Sequence, residues 1–284
     1  MIEVGRTARE VALFCSDMHL GDHDPRTAAL FLDRLDAQAR TASHLFLLGD
    51  LFEAWVGDDQ PDAVAQALLE RLAALAAAGT RVYAMRGNRD FLLDVAFPPE
   101  AATRPVRSFG ERSGATLIDD PCTVTLFGEP VLLAHGDALC VDDVDYQRAR
   151  ALARSDGWQR DFLARPLDER LRIARELRGE SRRVQAARAM GDADPGDVAP
   201  EAVEAAMRSA GVRTMVHGHT HRPACHRWAF DGAPARRWVL PDWHAGSDGP
   251  SRGGFLRVDA SGWSSIGYPV VGAIDGASDG SIDP

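Results

Sequence analysis

The sequence predicts an α/β fold, a layered sandwich of sheets and helices that carries a helical insertion. Three observations predict it. Short apolar runs alternate with Ala/Leu-rich helical patterns. Clusters of Asp, Asn and His follow several of those runs. One Arg-rich stretch, from about Tyr146 to Ala199, shows no strand pattern. Strand–helix alternation followed by antiparallel pieces is the pattern of helices layered on sheets.

The strands come first. Val11–Ser16, Leu45–Leu48, Val82–Met85 and Val131–Ala134 are contiguously apolar. That is expected where both faces of a sheet are covered, whereas a half-exposed strand alternates. Between them Thr27–Ala39 and Asp62–Ala78 read as helices. The second begins after Pro61 and stops at Gly79, a fitting start and stop. Thr123–Phe127 leads through Gly128–Pro130 into Val131 as a hairpin. Glu201–Ala210, between Pro200 and Gly211, reads as a short helix. Thr214–Val216, Trp238–Leu240 and Phe255–Val258 read as late strands. The insertion reads as helices over Tyr146–Ala153, Leu167–Leu177 and Ser181–Met190, followed by a loop at Gly191–Gly196.

With 284 residues the chain suits one domain over residues 1–270, interrupted by the insertion at about 146–199. The Gly-, Ser- and Asp-rich residues 271–284 read as a frayed tail. A composition of 45% hydrophobic and 26% charged residues excludes wholesale disorder. All 32 basic residues are arginine, against 42 acids, for a net charge of −10. This disfavours a protein that coats nucleic acid. It leaves room for a small anionic substrate held by metals and local arginines. Twelve arginines face six acids between Arg148 and Arg188, a local +6 that leaves −16 on the remainder. Cys15, Cys122, Cys140 and Cys225 show no CxxC spacing, which points to a reduced cytoplasmic protein without a thiolate metal site. Neither a secretory leader nor a membrane-spanning run is expected, so any membrane contact is peripheral.

Five clusters follow strands: Asp17-Met-His19, Gly49-Asp50, Gly87-Asn88-Arg89-Asp90, His135-Gly136-Asp137 and Gly218-His219-Thr220-His221. Ligands of α/β sheets bind outside the carboxyl ends of strands, so five such ends can share one site. Asp17, His19, Asp50, Asn88, His135, His219 and His221 supply seven donors. One ion takes about four to six, whereas seven with one shared carboxylate make two sets. Imidazole, carboxylate and amide together favour Mn, Fe, Zn or Co. In D-x-H and H-x-H an extended backbone would aim both donors the same way. That parity leaves His217 equivalent to His219 and His221.

The ordered set D-x-H, G-D, G-N-x-D, H-G-D, G-H-T-H resembles the calcineurin-like metallophosphoesterase superfamily. The blocks Gly49–Asp59, Gly87–Leu93, His135–Asp143 and His217–Pro223 are similar to one branch of it. That branch splits the diphosphate of UDP-2,3-diacylglucosamine to UMP and 2,3-diacylglucosamine 1-phosphate (lipid X), a step of lipid A biosynthesis. The resemblance implies an αββα sandwich with a helical lid and two divalent ions, with Mn2+ expected. It assigns Asp17, His19, Asp50 and His221 to one ion. Asp50, Asn88, His135 and His219 go to the other, and His217 stays outside. It implies an activated water attacking the α-phosphorus, with Asp50, Asn88, Arg89 and His135 as the catalytic set. It implies substrate contacts at Asn88, Arg89, Asp143 and His219, and in the lid at Ser181, Gln185 and Arg188. There Gln and Arg replace the Asn and Lys of the family pattern. The last three fall at i, i+4 and i+7, one face of a helix.

Arg89 stands where phosphomonoesterase relatives carry His. Arg gives up no proton at neutral pH, which suits a phosphate leaving group that needs charge stabilisation more than protonation. The alternative is a plain ion pair between Arg89 and Asp90. Trp158, Phe162, Leu163, Leu167, Leu171 and Ile173 are expected to cover acyl chains, or else to glue the lid to the core. The arginines would face the diphosphate and the anionic cytoplasmic face of the inner membrane. Glu53, Trp55, Asp58 and Asp59 receive no role beyond shaping the cleft. A soluble-substrate phosphodiesterase or nucleotide pyrophosphatase is the alternative enzyme. A metal-free scaffold and a nuclease are disfavoured, and the oligomeric state stays open.

Overall fold

Both faces of the central strands are covered, which explains their contiguous apolar runs. In the computed structural model, which describes residues 2–98, 105–189, 197–246 and 249–268, two six-stranded mixed sheets pack face to face. The first holds β1 (Ile2–Val4), β6 (Cys122–Leu126), β7 (Glu129–Leu133), β8 (Thr214–His217), β10 (Ala233–Val239) and β9 (Ala224–Phe230), in that order. The second holds β12 (Gly262–Ile266), β11 (Phe255–Asp259), β2 (Ala12–Cys15), β3 (His44–Leu48), β4 (Arg81–Met85) and β5 (Thr116–Ile118).

Alternate residues of one strand enter different cores. Ala12 and Phe14 of β2, with Phe46 and Leu48 of β3, meet Val131, Leu133 and Val216 of the opposing sheet. Leu13, Cys15, Leu45 and Leu47 point the other way, onto α1 (Pro25–Gln38) and α2 (Ala63–Ala77). Leu132 and Met215 face outward onto α7 (Pro200–Ala210). The layers are therefore helix, sheet, sheet, helix, an α/β sandwich.

Several boundaries differ from the sequence reading. Helix α1 begins at Pro25 because Asp24 caps it, accepting from Thr27 N at 3.0 Å. The expected β6–β7 hairpin turns on Phe127 and Gly128, both at positive φ (49° and 84°), a type I′ geometry that matches strand twist. In the insertion, α4 (Val144–Ala153) and α5 (Asp156–Leu163) precede one long α6 (Leu167–Ala189). The two helices expected at 167–177 and 181–190 are thus one, because a single interior glycine, Gly179, costs only about 1 kcal/mol. The loop at 191–196 and the tail at 271–284 lie outside the described residues. So do the side chains of Ser181, Gln185 and Arg188, whose backbone belongs to α6. Phe162 and Leu163 are buried in the core beneath the second sheet, and Trp158, Leu167, Leu171 and Ile173 pack against it. No helix among the described residues is long and apolar enough to cross a membrane.

Candidate metal centre

Parallel pairing sets five strand ends side by side. β2, β3 and β4 run parallel in one sheet, and β7 and β8 in the other. The loops beyond them carry Asp17 and His19, Asp50, Asn88, His135, and His219 and His221. Backbone bonds stitch these loops together: Asp17 N to Gly49 O at 3.1 Å, His19 N to Asp50 O at 3.0 Å, and Gly218 N to His135 O at 2.9 Å. Across the two sheets His219 N donates to Asp17 Oδ2 at 2.8 Å.

The donor pairs do not converge by extended parity. Asp17, His19, Asp50, His219 and His221 all have left-handed backbone, with φ between 48° and 68°. Such conformations are uncommon outside glycine and gather at functional sites, where the surroundings enforce them. Two glycines permit the close approach. A Cβ on Gly87 would lie 2.2 Å from Asp50 Oδ1, and one on Gly218 would lie 2.2 Å from Asp17 Oδ2.

Two donor sets emerge. Asp17, His19 and His221 place ligand atoms within 4.8 Å of one another, and so do Asp17, Asp50 and His135. His19 Nε2 faces His221 Nε2 at 3.2 Å, and His221 Nε2 lies 3.5 Å from Asp17 Oδ1. His135 Nε2 lies 3.0 Å from Asn88 Oδ1 and 3.6 Å from Asp50 Oδ1. Its Nδ1 is 3.0 Å from Leu48 O, which leaves Nε2 free to act as a ligand. His219 packs edge-on against His135, with ring centroids 5.1 Å apart. His217 is fully buried, and its Nδ1 meets Gly218 O at 2.9 Å, outside both donor sets.

The donors fit a cation. Buried Asp17 Oδ1 has no hydrogen-bond partner. Around it imidazole nitrogens converge on one another, an arrangement that a shared positive charge satisfies. The electrostatics agree. Burial raises the Asp17 carboxyl, but His221, His135 and His19 outweigh it and hold the group ionised. Burial and Arg89 keep His19 neutral, and burial and His135 push His219 down to about 4. Burial raises Asp50. Burial lowers His135, but Asp50, Asp137 and Asp17 carry it up to about 9.

Residues without an earlier role surround this centre. Asp90 accepts from Gly87 N and Leu51 N, both at 2.7 Å, and so clamps two ligand loops. It is therefore no partner for Arg89, whose Nε lies 3.6 Å from Asp50 Oδ2 and whose Nη1 lies 3.9 Å from Glu53 Oε1. Arg89 Nε and Nη1 are buried without a hydrogen bond. Asp137 is buried and takes Arg150 at 2.8 Å and Tyr146 Oη at 2.8 Å, tying α4 to the site. Asp143 caps α4, accepting from Tyr146 N at 3.2 Å. Asp59 pairs with Arg170 of α6, a buried arginine that also reaches Val56 O. Asp58 accepts from Trp55 Nε1 at 2.9 Å and Phe109 N at 3.1 Å. Val56 and Asp59 of the motif block at Glu53–Asp59 thus hold α6 on the core. Sequence reasoning passed over Arg170 and Asp137, although Asp137 sits inside the H-G-D motif. Arg170 meets Asp59 from 111 residues away, whereas Asp137 takes its partners from α4, only 9 and 13 residues on, where no sequence pattern marks the pairing.

Fold and centre together define a metal-dependent phosphoesterase, a hydrolase. The calcineurin-like phosphoesterase family profile matches residues 11–223, and the chain belongs to that family. It is 45% identical over 247 residues to a UDP-2,3-diacylglucosamine hydrolase of Chromohalobacter salexigens, covering 87% of this chain and 92% of that one. A protein of the same name from Pseudomonas aeruginosa is 45% identical over 258 residues, covering 91% and 99%. One from Stenotrophomonas maltophilia is 43% identical over 256 residues, covering 89% and 96%.

Proposed function

We propose that this protein hydrolyses the diphosphate of UDP-2,3-diacylglucosamine, releasing UMP and 2,3-diacylglucosamine 1-phosphate, a step of lipid A biosynthesis. One observation carries the reading beyond the names of the relatives. A cavity of about 220 Å³ is lined by Asn88 and Arg89 beside the donor cluster and by Phe91, Trp158, Phe162 and Leu177 in the insertion. One space thus offers a polar diphosphate end and an apolar wall for acyl chains.

In this reading Asp17, His19, Asp50 and His221 hold one divalent ion. Asp50, Asn88, His135 and His219 hold a second, and Mn2+ is the ion expected at both. Bound divalent ions acidify water and neutralise phosphoryl oxygens. The chain's own residues do the rest. Arg89, whose Nε and Nη1 make no hydrogen bond in the cleft although Asp50 and Glu53 lie within 4 Å, binds the diphosphate and stabilises charge on the departing sugar phosphate. His135 keeps its Nε2 aimed inward through Leu48 O. Asp143, Ser181, Gln185 and Arg188 are proposed to contact the uridine and sugar side of the substrate.

We assign the insertion, residues 146–199, as a lid on a single domain of residues 1–270. Leu163, Leu167, Leu171 and Ile173 pack on the core, so they anchor the lid, while Trp158 and Phe162 both anchor it and line the cavity. The protein would work peripherally at the cytoplasmic face of the inner membrane. In support, the exposed large apolar side chains among the described residues, Val141, Val144, Leu152 and Leu177, all lie in or beside this arginine-rich segment. Mass spectrometry of UDP-2,3-diacylglucosamine turnover with Mn2+, comparing wild type with His19→Ala, tests the activity. Equal turnover of the deacylated sugar nucleotide would transfer the assignment to a soluble substrate. Unchanged vesicle co-sedimentation after replacement of residues 150–190 would remove the membrane role.

A further inference from the structure

The chain beyond β10 returns to the metal centre with a carboxylate that the mechanism has not used. Asp242 is 7% exposed. Its Oδ2 lies 3.8 Å from His221 Nδ1 and accepts from Arg252 Nη2 at 2.6 Å. The other nitrogen of His221, Nε2, faces Asp17 Oδ1 and His19 Nε2. A ligating imidazole must carry its proton on the nitrogen turned away from the metal, and an acceptor there fixes both tautomer and ring angle. Leu48 O fills that position for His135. On the His221 side a carboxylate oxygen of Asp242 faces Nδ1 at 3.8 Å, an ion-pair distance rather than a formed hydrogen bond.

The backbone keeps Asp242 in register with the centre. Leu240 N donates to His217 O at 2.8 Å, and Trp243 N donates to Asp17 O at 3.2 Å. Asp242 is therefore bracketed by bonds to the two loops that carry Asp17 and His221. Arg252 is carried in turn by the paired bonds between His244 and Arg252, at 3.1 and 2.8 Å. Arg252 is largely exposed, so it neutralises Asp242 without burying a second charge.

We infer that Asp242 is a positioning residue of the metal centre, the acceptor that orients His221, with Arg252 holding its carboxylate. The inference rests on the metal-site reading proposed above. The competing explanation is that Asp242 serves only as the partner of Arg252. Calorimetric titration of Mn2+ into the metal-stripped full chain separates the two. Asp242→Ala should weaken Mn2+ binding by about 10–100-fold. Asp242→Asn, which keeps an acceptor oxygen, should lose less. Arg252→Ala breaks the ion pair and leaves the carboxylate, so its Mn2+ affinity should stay within a few-fold of wild type. Melting temperatures of the stripped proteins report folding separately. If Asp242→Ala does not fold, Asp242→Asn carries the test, with weaker Mn2+ binding than wild type at an unchanged melting temperature. Wild-type affinity in whichever Asp242 variant folds overturns the inference, as does a loss in Arg252→Ala equal to that in Asp242→Ala. If the wild type itself takes up no Mn2+, the metal reading falls, and this inference falls with it.

Discussion

Glu53 accepts two hydrogen bonds from Arg178, one from Nε at 3.0 Å and one from Nη2 at 2.6 Å. Glu53 lies on the loop after β3, 3.8 Å from His19 Nδ1 and 3.9 Å from Arg89 Nη1, while Arg178 belongs to α6. Helix α6 is thus pinned beside the candidate metal centre. Both side chains are about one-fifth exposed, so screening limits the pair. Its coupling energy should be about 1 kcal/mol in a double-mutant cycle. Arg178→Leu should speed amide exchange in α6 and raise KM about fivefold, with a smaller change in kcat. Hydrogen exchange and steady-state kinetics on the same variant check both.

Removing metal should cost stability as well as activity. Asp17, Asp50 and Asp90 are buried together, and burial opposes their ionisation. A divalent ion relieves that cost only in the folded chain. At 100 times the dissociation constant, a single site adds about 2.7 kcal/mol. In a chain of this size that corresponds to a rise of roughly 5–10 °C in Tm. Chelation followed by Mn2+ titration, monitored by calorimetric melting, should show a concentration-dependent Tm. His19→Ala should blunt that dependence and reduce turnover by at least ~100-fold.

The central strands, and the loops at their ends that carry the candidate donors, were legible because local signals and covalent order coincide there. Contiguous apolar runs mark strands covered on both faces, and each motif begins where such a run ends. What escaped was decided by contacts distant in the chain. Edge strands such as β1 and β5 are three residues long and take their pairing from neighbours. The β9–β10 hairpin is the exception, missed although a local signal marks it: Asp231-Gly232 is a type I′ pair, and both residues have positive φ (48° and 73°). The left-handed backbone at Asp17 and His221 carries no sequence mark, because only the assembled loops enforce it. Arg170 looked like one of many arginines in the basic segment. Its burial against Asp59 and Val56 requires the insertion to be folded back on the core.

Arg89 provides the sharpest test of the leaving-group argument. It lies beside Asp50 and Glu53 with two buried nitrogens unbonded, and Asp90 is occupied by backbone amides. Arg89→His leaves the metal donors in place but substitutes a smaller, titratable group. Diphosphate turnover should fall by about 100-fold, roughly the 2.7 kcal/mol lost with one transition-state donor. Mn2+ affinity should change little. Undiminished turnover would mean that Arg89 has no role in charge stabilisation.

Asp58 should leave a signature in the pH dependence of stability. Burial pushes its carboxyl up to about 6, although Trp55 and Phe109 donate to it. The unfolded chain has the ordinary value, near 3.8. Between roughly pH 4 and 6 the folded state therefore holds more protons than the unfolded state. Stability must then fall as pH rises through that window, by on the order of 3 kcal/mol from this one group. The contribution is complete below pH 4 and lost above pH 6. Asp58→Asn cannot ionise, so its stability should decline less steeply over the same range. It should also be less stable than wild type at pH 4.5, because its amide turns a donor toward either Trp55 Nε1 or Phe109 N. Urea unfolding of metal-stripped wild type and variant at pH 4.5 and 6.5 measures the difference in slope, and equal slopes would show that Asp58 titrates normally.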